Sequence, residues 1–249
     1  MQIDTFRCFM NVVPIILILL VAIIVACIYE GTRKRSKKKM EHERKFLIDR
    51  FPTELCLLNT SVLYTGYFDN EPELLIAVFY NRGYRIVFQS NIGRVVIEDH
   101  GANLIADTYK NISEILKHPY EARIRKKEYA AGRLTAASYK LCFKSKGNIS
   151  RKEEEIDLES QEFEAISELI THPFIEKQFS AYKLGTHTLE CNAVDPSLPS
   201  AFMYAEIEFK SMLRALFFRA PTFLHKDVTF KRYYKMYNYW CRTRLTNHD

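Results

Sequence analysis

The chain has 249 residues, 47% of them hydrophobic and 13% aromatic, which excludes a disordered polymer and leaves room for one large domain or two small ones. Its formal net charge is +6, but Arg33, Lys34, Arg35, Lys37, Lys38 and Lys39 supply six cations in seven residues, and without them 30 basic residues face 30 acidic ones. The basic balance is therefore local, and it argues against a domain that binds nucleic acid through its overall charge.

Val12 to Tyr29 is an apolar run of eighteen residues, interrupted only by Pro14. At helical rise it extends about 27 Å, close to the hydrocarbon thickness of a bilayer, so it is predicted to be a single transmembrane helix. Cations cluster after it, which places the amino terminus outside and the remaining chain in the cytoplasm. The run at 33–39 would also be drawn to anionic lipid. Two rivals stay open: a cleaved signal peptide, which lacks a charged leading region, and a lipoprotein cleavage box at Ile24-Val25-Ala26-Cys27, which would put the domain outside the cytoplasm. The six cysteines (Cys8, Cys27, Cys56, Cys142, Cys191, Cys241) have no metal-ligand spacing and read as reduced, structural thiols.

Residues 1–32 thus form an anchor, 33–40 a basic linker, and 41–249 one domain. The domain opens on Glu41-His42-Glu43-Arg44-Lys45-Phe46. On a strand, Glu41, Glu43 and Lys45 share one face, and a face with three charges must look into water or into a cavity holding compensating ions. The alternative is a solvated helix from Lys37 to Phe51. Recurrence favours the strand, because Arg151-x-Glu153-x-Glu155-x-Asp157 and Glu206-x-Glu208 repeat the pattern. Further β-rich segments are predicted at 62–67, 74–80, 84–89, 94–98, 120–127, 137–144, 151–158, 186–192 and 202–209. Turn signals separate them at 69–72, 81–83 and 146–148. So many short strands argue for a mainly antiparallel sheet closed on itself. Two helices are predicted, one capped by Ser160 and running to Ile170, the other from about Phe230 to Leu245 with Tyr233, Tyr234, Tyr237 and Trp240 along one stripe.

Cations also alternate: Lys45, Arg123 and Arg125, Lys144 and Lys146, and Arg151. Carboxylates at i and i+2 can hold Mg²⁺ or Mn²⁺ through oxygen ligands shared with phosphate, while arginine and lysine take the remaining phosphate oxygens. A linear triphosphate fits such a lining. For each pair alone, an exposed face with cross-strand salt bridges is the better account of the residues.

The order Glu41-x-Glu43-x-Lys45, Arg123-x-Arg125, Lys144, Arg151-x-Glu153-x-Glu155, the acid in Leu189-Glu190-Cys191-Asn192, and Ala205-Glu206-Ile207-Glu208 resembles the CYTH domain. This group is named for class IV adenylate cyclases and thiamine triphosphatases, within the triphosphate tunnel metalloenzymes. Pro221 to Tyr234 is similar to the family's terminal segment, so the resemblance covers residues 41 to about 240. It implies a closed eight-stranded β-barrel tunnel with flanking helices, one or two divalent ions, and attack on a small-molecule triphosphate. It assigns Glu41, Glu43, Glu206 and Glu208 to metal, and Lys45, Arg123, Arg125, Lys144, Arg151 and Lys177 to phosphate. Glu153, Glu155 and Glu190 would hold a second metal or position the attacking water. The chain departs from the family in three places. Residues 66–115 read as an insertion, Phe179 stands where an arginine is usual, and Asn192 replaces an acid. The expected activity is a membrane-tethered, metal-dependent triphosphatase, with a class IV-type adenylate cyclase and a non-catalytic triphosphate sensor as the alternatives.

Overall fold

Alternation of charge with Phe, Ile, Leu and Ala along strands such as 41–47, 121–127, 151–157 and 204–208 builds a sheet with one polar and one apolar face. The computed structural model describes residues 40–68, 75–79, 85–98, 106–131, 134–147 and 149–245. The apolar run 12–29, the basic run 33–39 and the turns at 69–72 and 81–83 lie outside the described residues. Among the described residues, no helix is long and apolar enough to cross a membrane.

Twelve strands are described: β1 (Met40–Leu47), β2 (Cys56–Tyr67), β3 (Leu75–Phe79), β4 (Arg85–Gln89), β5 (Arg94–Glu98), β6 (Tyr120–Ala131), β7 (Leu134–Ser145), β8 (Ser150–Leu158), β9 (Ile175–Leu184), β10 (His187–Val194), β11 (Phe202–Glu208) and β12 (Lys226–Asp227). Eight of them pair antiparallel in the order β11-β10-β9-β2-β6-β7-β8-β1, and β1 pairs back onto β11, closing the barrel. Register then fixes which residues share the inside. Glu41 lies opposite Arg151, Glu43 opposite Glu208, Lys45 opposite Glu206, Glu190 opposite Glu206, Lys144 opposite Glu153, and Arg123 opposite Cys142. Directly opposed residues on antiparallel strands project to the same face.

The intervening residues carry the apolar core on the outside of the barrel. Ile124, Leu141, Phe143 and Ile156 pack beneath α1 (Ala106–Leu116), α2 (Ser160–Ser167) and the separate three-stranded sheet β3-β4-β5. Phe46, Leu189, Ala205 and Ile207 form a second cluster with Phe209, Ala215 of α3 (Met212–Phe217) and Leu224. A third cluster closes one end of the barrel, where Tyr67 and Tyr204 meet Met236, Tyr239 and Trp240 of α4 (Met236–Trp240). Buried Asp195 ties this segment down, taking Arg244 at 2.7 Å and the Tyr239 hydroxyl at 2.8 Å.

Several local expectations change. Strand β9 was absent from the predicted set, because its buried residues follow no clean alternation: Phe179, Ser180, Ala181 and Tyr182 are consecutive and all buried. Helix α1 begins inside the stretch read as an insertion and ends one residue beyond it, with Tyr109, Ile112 and Ile115 buried at helical spacing. Ser160 is the first helical residue of α2 and not its cap, since the Glu159 amide donates to Glu162 Oε2 at 2.9 Å in a capping box. The terminal helix predicted over 230–245 is broken. Lys235 is extended (φ −71°, ψ 133°) between a 3-10 turn at Arg232–Tyr234 and α4, and the final turn Cys241–Leu245 is a π-helix.

Candidate active site

The thirteen residues that the resemblance assigned to metal, phosphate or the attacking water all line one cavity of about 290 Å³ inside the barrel. Glu41, Glu43 and Lys45 come from β1, Arg123 and Arg125 from β6, and Lys144 from β7. Arg151, Glu153 and Glu155 come from β8, Lys177 from β9, Glu190 from β10, and Glu206 and Glu208 from β11. Lys146, one of the predicted alternating cations, is not among the lining residues. The lining adds Glu121 and Lys127, which share the face of Arg123 and Arg125 and were readable by extending that period of two. It also adds Lys231, from the segment 221–234 that resembles the family's terminal stretch, and Tyr67, Tyr204 and Lys235, for which no pattern in the sequence offered a signal.

Strand order segregates these charges. Adjacent strands β10, β11 and β1 carry Glu190, Glu206, Glu208, Glu41 and Glu43 with the single cation Lys45, whereas β9, β6 and β7 carry Lys177, Arg123, Arg125, Lys127 and Lys144 with the single acid Glu121. Strand β8, between β7 and β1, presents both signs. Where the walls meet, ion pairs form. Arg151 reaches Glu41 at 2.8 Å and Glu43 at 2.7 Å, and Lys144 reaches Glu41 at 3.0 Å and Glu153 at 2.9 Å. Arg125 and Lys140 both hold Glu155 at 3.0 Å, and Lys45 holds Glu206 at 2.8 Å while lying 4.1 Å from the Tyr204 ring centroid.

The two walls differ in what they leave unbalanced. On the acidic wall, burial and the Glu206 carboxylate push Glu43 up to about 7, and the same two causes raise Glu190. Burial also opposes ionisation of Glu41, but Lys144 and Arg151 outweigh it and hold that carboxyl well below its usual range. On the basic wall, burial together with the nearby Arg123 drives Lys177 down to about 7. Its hydrogen-bond partner is the Tyr204 hydroxyl at 3.2 Å and not a carboxylate. The buried Arg123 Nε has no hydrogen-bond partner among the described residues. Such orphaned cationic donors fit an anion.

Carboxylates on the acidic wall that raise one another's pKa fit a divalent cation, and their oxygens are the hard ligands that Mg²⁺ or Mn²⁺ takes. Among the described residues, the only three potential ligand atoms within 4.8 Å of one another belong to Cys142, Glu153 and Glu155. That trio fits a hard cation poorly. Burial pushes the Cys142 thiol up to about 12, so it keeps its proton, and Lys144, Arg125 and Lys140 already neutralise the two acids. The four described cysteines are free thiols.

The fold and this lining define a class: an antiparallel β-tunnel whose interior is charged and whose apolar core lies outside. No family model matches the chain, and no curated protein matches it. Among solved structures, the inorganic triphosphatase NE1496 superposes with a TM-score of 0.42 at 20% identity, over 80% of this chain and 93% of that one. The PH1819 protein from Pyrococcus horikoshii OT3 superposes with a TM-score of 0.37 at 14% identity, over 71% and 82%.

Proposed function

We propose that the tunnel binds a linear triphosphate with a divalent cation and hydrolyses it to diphosphate and orthophosphate. The observation that carries this reading is the basic wall facing an acidic wall: buried Lys177 has no carboxylate partner, and Arg123, which reaches Glu153 at 3.8 Å through one terminal nitrogen, leaves its buried Nε without a partner among the described residues. Phosphate oxygens would take Arg123, Arg125, Lys144, Arg151, Lys45 and Lys177, the arginines in bidentate fashion. Tyr204 would orient the Lys177 ammonium, and Glu153 and Glu155 would hold Lys144 and Arg125 in place.

Glu41, Glu43, Glu206 and Glu208 would hold Mg²⁺ or Mn²⁺, which supplies charge neutralisation on the phosphates and acidification of a bound water. In the reaction a water oxygen bonds to the terminal phosphorus and the bridging P–O bond breaks. Glu190, whose raised pKa suits it to accept a proton, would receive one from that water. Positioning and charge stabilisation do most of the work in such a transfer.

A second reading, binding without turnover, draws on Phe179 and Asn192, which put an apolar ring and a neutral amide into the lining. One assay separates these readings from a cyclase. The full chain is incubated with Mg²⁺ or Mn²⁺ and a panel of inorganic, thiamine and nucleoside triphosphates. Orthophosphate supports hydrolysis, cyclic AMP with diphosphate indicates a cyclase, and saturable binding with neither product indicates a sensor. The same reading tethers the domain through residues 12–29, with 33–39 against anionic lipid on the cytoplasmic face. Protease accessibility of the domain in sealed vesicles tests that topology.

A further inference from the structure

Helix α3 is short and amphipathic in an unusual sense. Ser211 caps it, accepting from the Arg214 amide, and Ala215 turns inward and is fully buried against the barrel. Arg44 holds its carboxyl end, donating to the Ala215 carbonyl at 3.3 Å and the Phe218 carbonyl at 2.8 Å. The helix is thus fixed to the domain. Its outward face, at positions i, i+1, i+4 and i+5, consists of Met212 (48% exposed), Leu213 (66%), Leu216 (49%) and Phe217 (81%). Four large apolar side chains in solvent on one rigid turn mark a contact surface.

What surrounds them identifies the partner. Lys210, Arg214, Arg219 and Lys226 are all exposed, and residues 209–226 contain no aspartate or glutamate. The nearby Asp227 is paired with Arg44, and an apolar face flanked mainly by cations matches an anionic lipid surface, which takes apolar side chains at the acyl boundary and cations at the head groups. The root of the helix also adjoins the start of β1, since the Phe209 amide donates to the His42 carbonyl at 2.7 Å. Met40, the first residue of β1, is itself exposed and is preceded in sequence by the basic run 33–39.

We propose that α3 docks the tunnel domain onto an anionic bilayer, with Met212, Leu213, Leu216 and Phe217 entering the interface and Lys210, Arg214, Arg219 and Lys226 contacting head groups. This goes beyond the tether, which would keep the domain near a membrane without choosing its face. The docked face is set by residues of the folded domain.

The test uses the full chain in vesicles of phosphatidylcholine and phosphatidylserine whose phosphatidylcholine carries brominated acyl chains. The chain has one tryptophan, Trp240, which is fully buried and gives a constant background. Phe217→Trp places an indole on the proposed face, and Ile92→Trp places one at an exposed position in the turn between β4 and β5. An interfacial helix buries its apolar face about 5–10 Å into the head-group boundary. Most of the emission added at 217 is therefore lost to bromine, and the emission added at 92 is retained. Omitting phosphatidylserine weakens the quenching, and adding Leu213→Glu with Leu216→Glu abolishes it. Equal quenching at 217 and 92, no quenching at 217, or quenching that survives the double glutamate change overturns docking. So does a blue shift at 217 without quenching, as a second copy covering the face would give. Flotation of the chain with the vesicles reports the tether separately, so loss of the tether and loss of docking are told apart.

Discussion

Lys177 is the most direct physical probe of the tunnel. Lys144 is buried among Glu41 and Glu153, but Lys177 is buried with only a tyrosine hydroxyl as its partner, and burial with the neighbouring Arg123 lowers its pKa from 10.5 to about 7. A lysine with a folded value below its unfolded one binds fewer protons folded than unfolded between about pH 7 and 10.5, so stability must rise with pH across that window. At about 1.4 kcal/mol per pH unit, the rise amounts to on the order of 4 to 5 kcal/mol. Lys177→Met removes the titration and should flatten that part of the profile. Guanidinium unfolding followed by Trp240 emission, in chelator and at a series of pH values, measures both proteins. An anion on the basic wall restores the charged form, so tripolyphosphate binding near about pH 8.5 should take up close to one proton more in the wild type than in Lys177→Met. Calorimetry in buffers of different ionisation heat reads that number. Parallel stability profiles, or identical proton uptake, would refute the argument that Lys177 awaits an anion.

Glu41→Gln with Glu43→Gln should lower orthophosphate release by roughly a hundredfold or more, because the site loses its ligands for a charge-neutralising ion. Metal-free tripolyphosphate binding should persist, which equilibrium dialysis would show. Arg151→Met takes from the partly buried carboxylates Glu41 and Glu43 the cation they share, leaving Glu41 with Lys144, and should cost about 3 kcal/mol in chelator. Part of that loss should return when Mn²⁺ is added, and an unchanged melting curve would count against the pairing. Trp240→Ala should cost about 3–5 kcal/mol, since the ring is fully buried against Tyr67 and Tyr237 where α4 closes the barrel. Thermal unfolding by circular dichroism measures it.

The interior of the barrel was legible because strand geometry has a period of two. Glu41, Glu43 and Lys45 share a face whatever follows, and the same rule collects Arg151, Glu153 and Glu155, or Glu206 and Glu208. Closure of the sheet was inferred from the number of strands, and the pairing of β1 with β11 supplies it. Strand β9 was hidden because the run Phe179 to Tyr182 is buried on both faces, so no alternation remains to read. The terminal segment misled for the opposite reason. Tyr233, Tyr237 and Trp240 do recur at helical spacing, but Lys235 interrupts the helix in an extended conformation, its ammonium donating to the Gly147 carbonyl. That contact links residues 88 apart in sequence, and no local pattern encodes it. Tyr204 was overlooked because a tyrosine in a strand reads as core. Its ring does pack against Phe202, and its hydroxyl faces Lys177.

The function of the tunnel turns on where a phosphate chain binds. A crystal structure with Mn²⁺ and a non-hydrolysable triphosphate analogue would answer this directly. Anomalous density for Mn²⁺ against Glu41, Glu43, Glu206 and Glu208, with phosphate oxygens on Arg123, Arg125, Lys144, Arg151 and Lys177, is the predicted result. An analogue bound outside the barrel, with Lys177 and the Arg123 Nε still lacking an anionic partner, would contradict it.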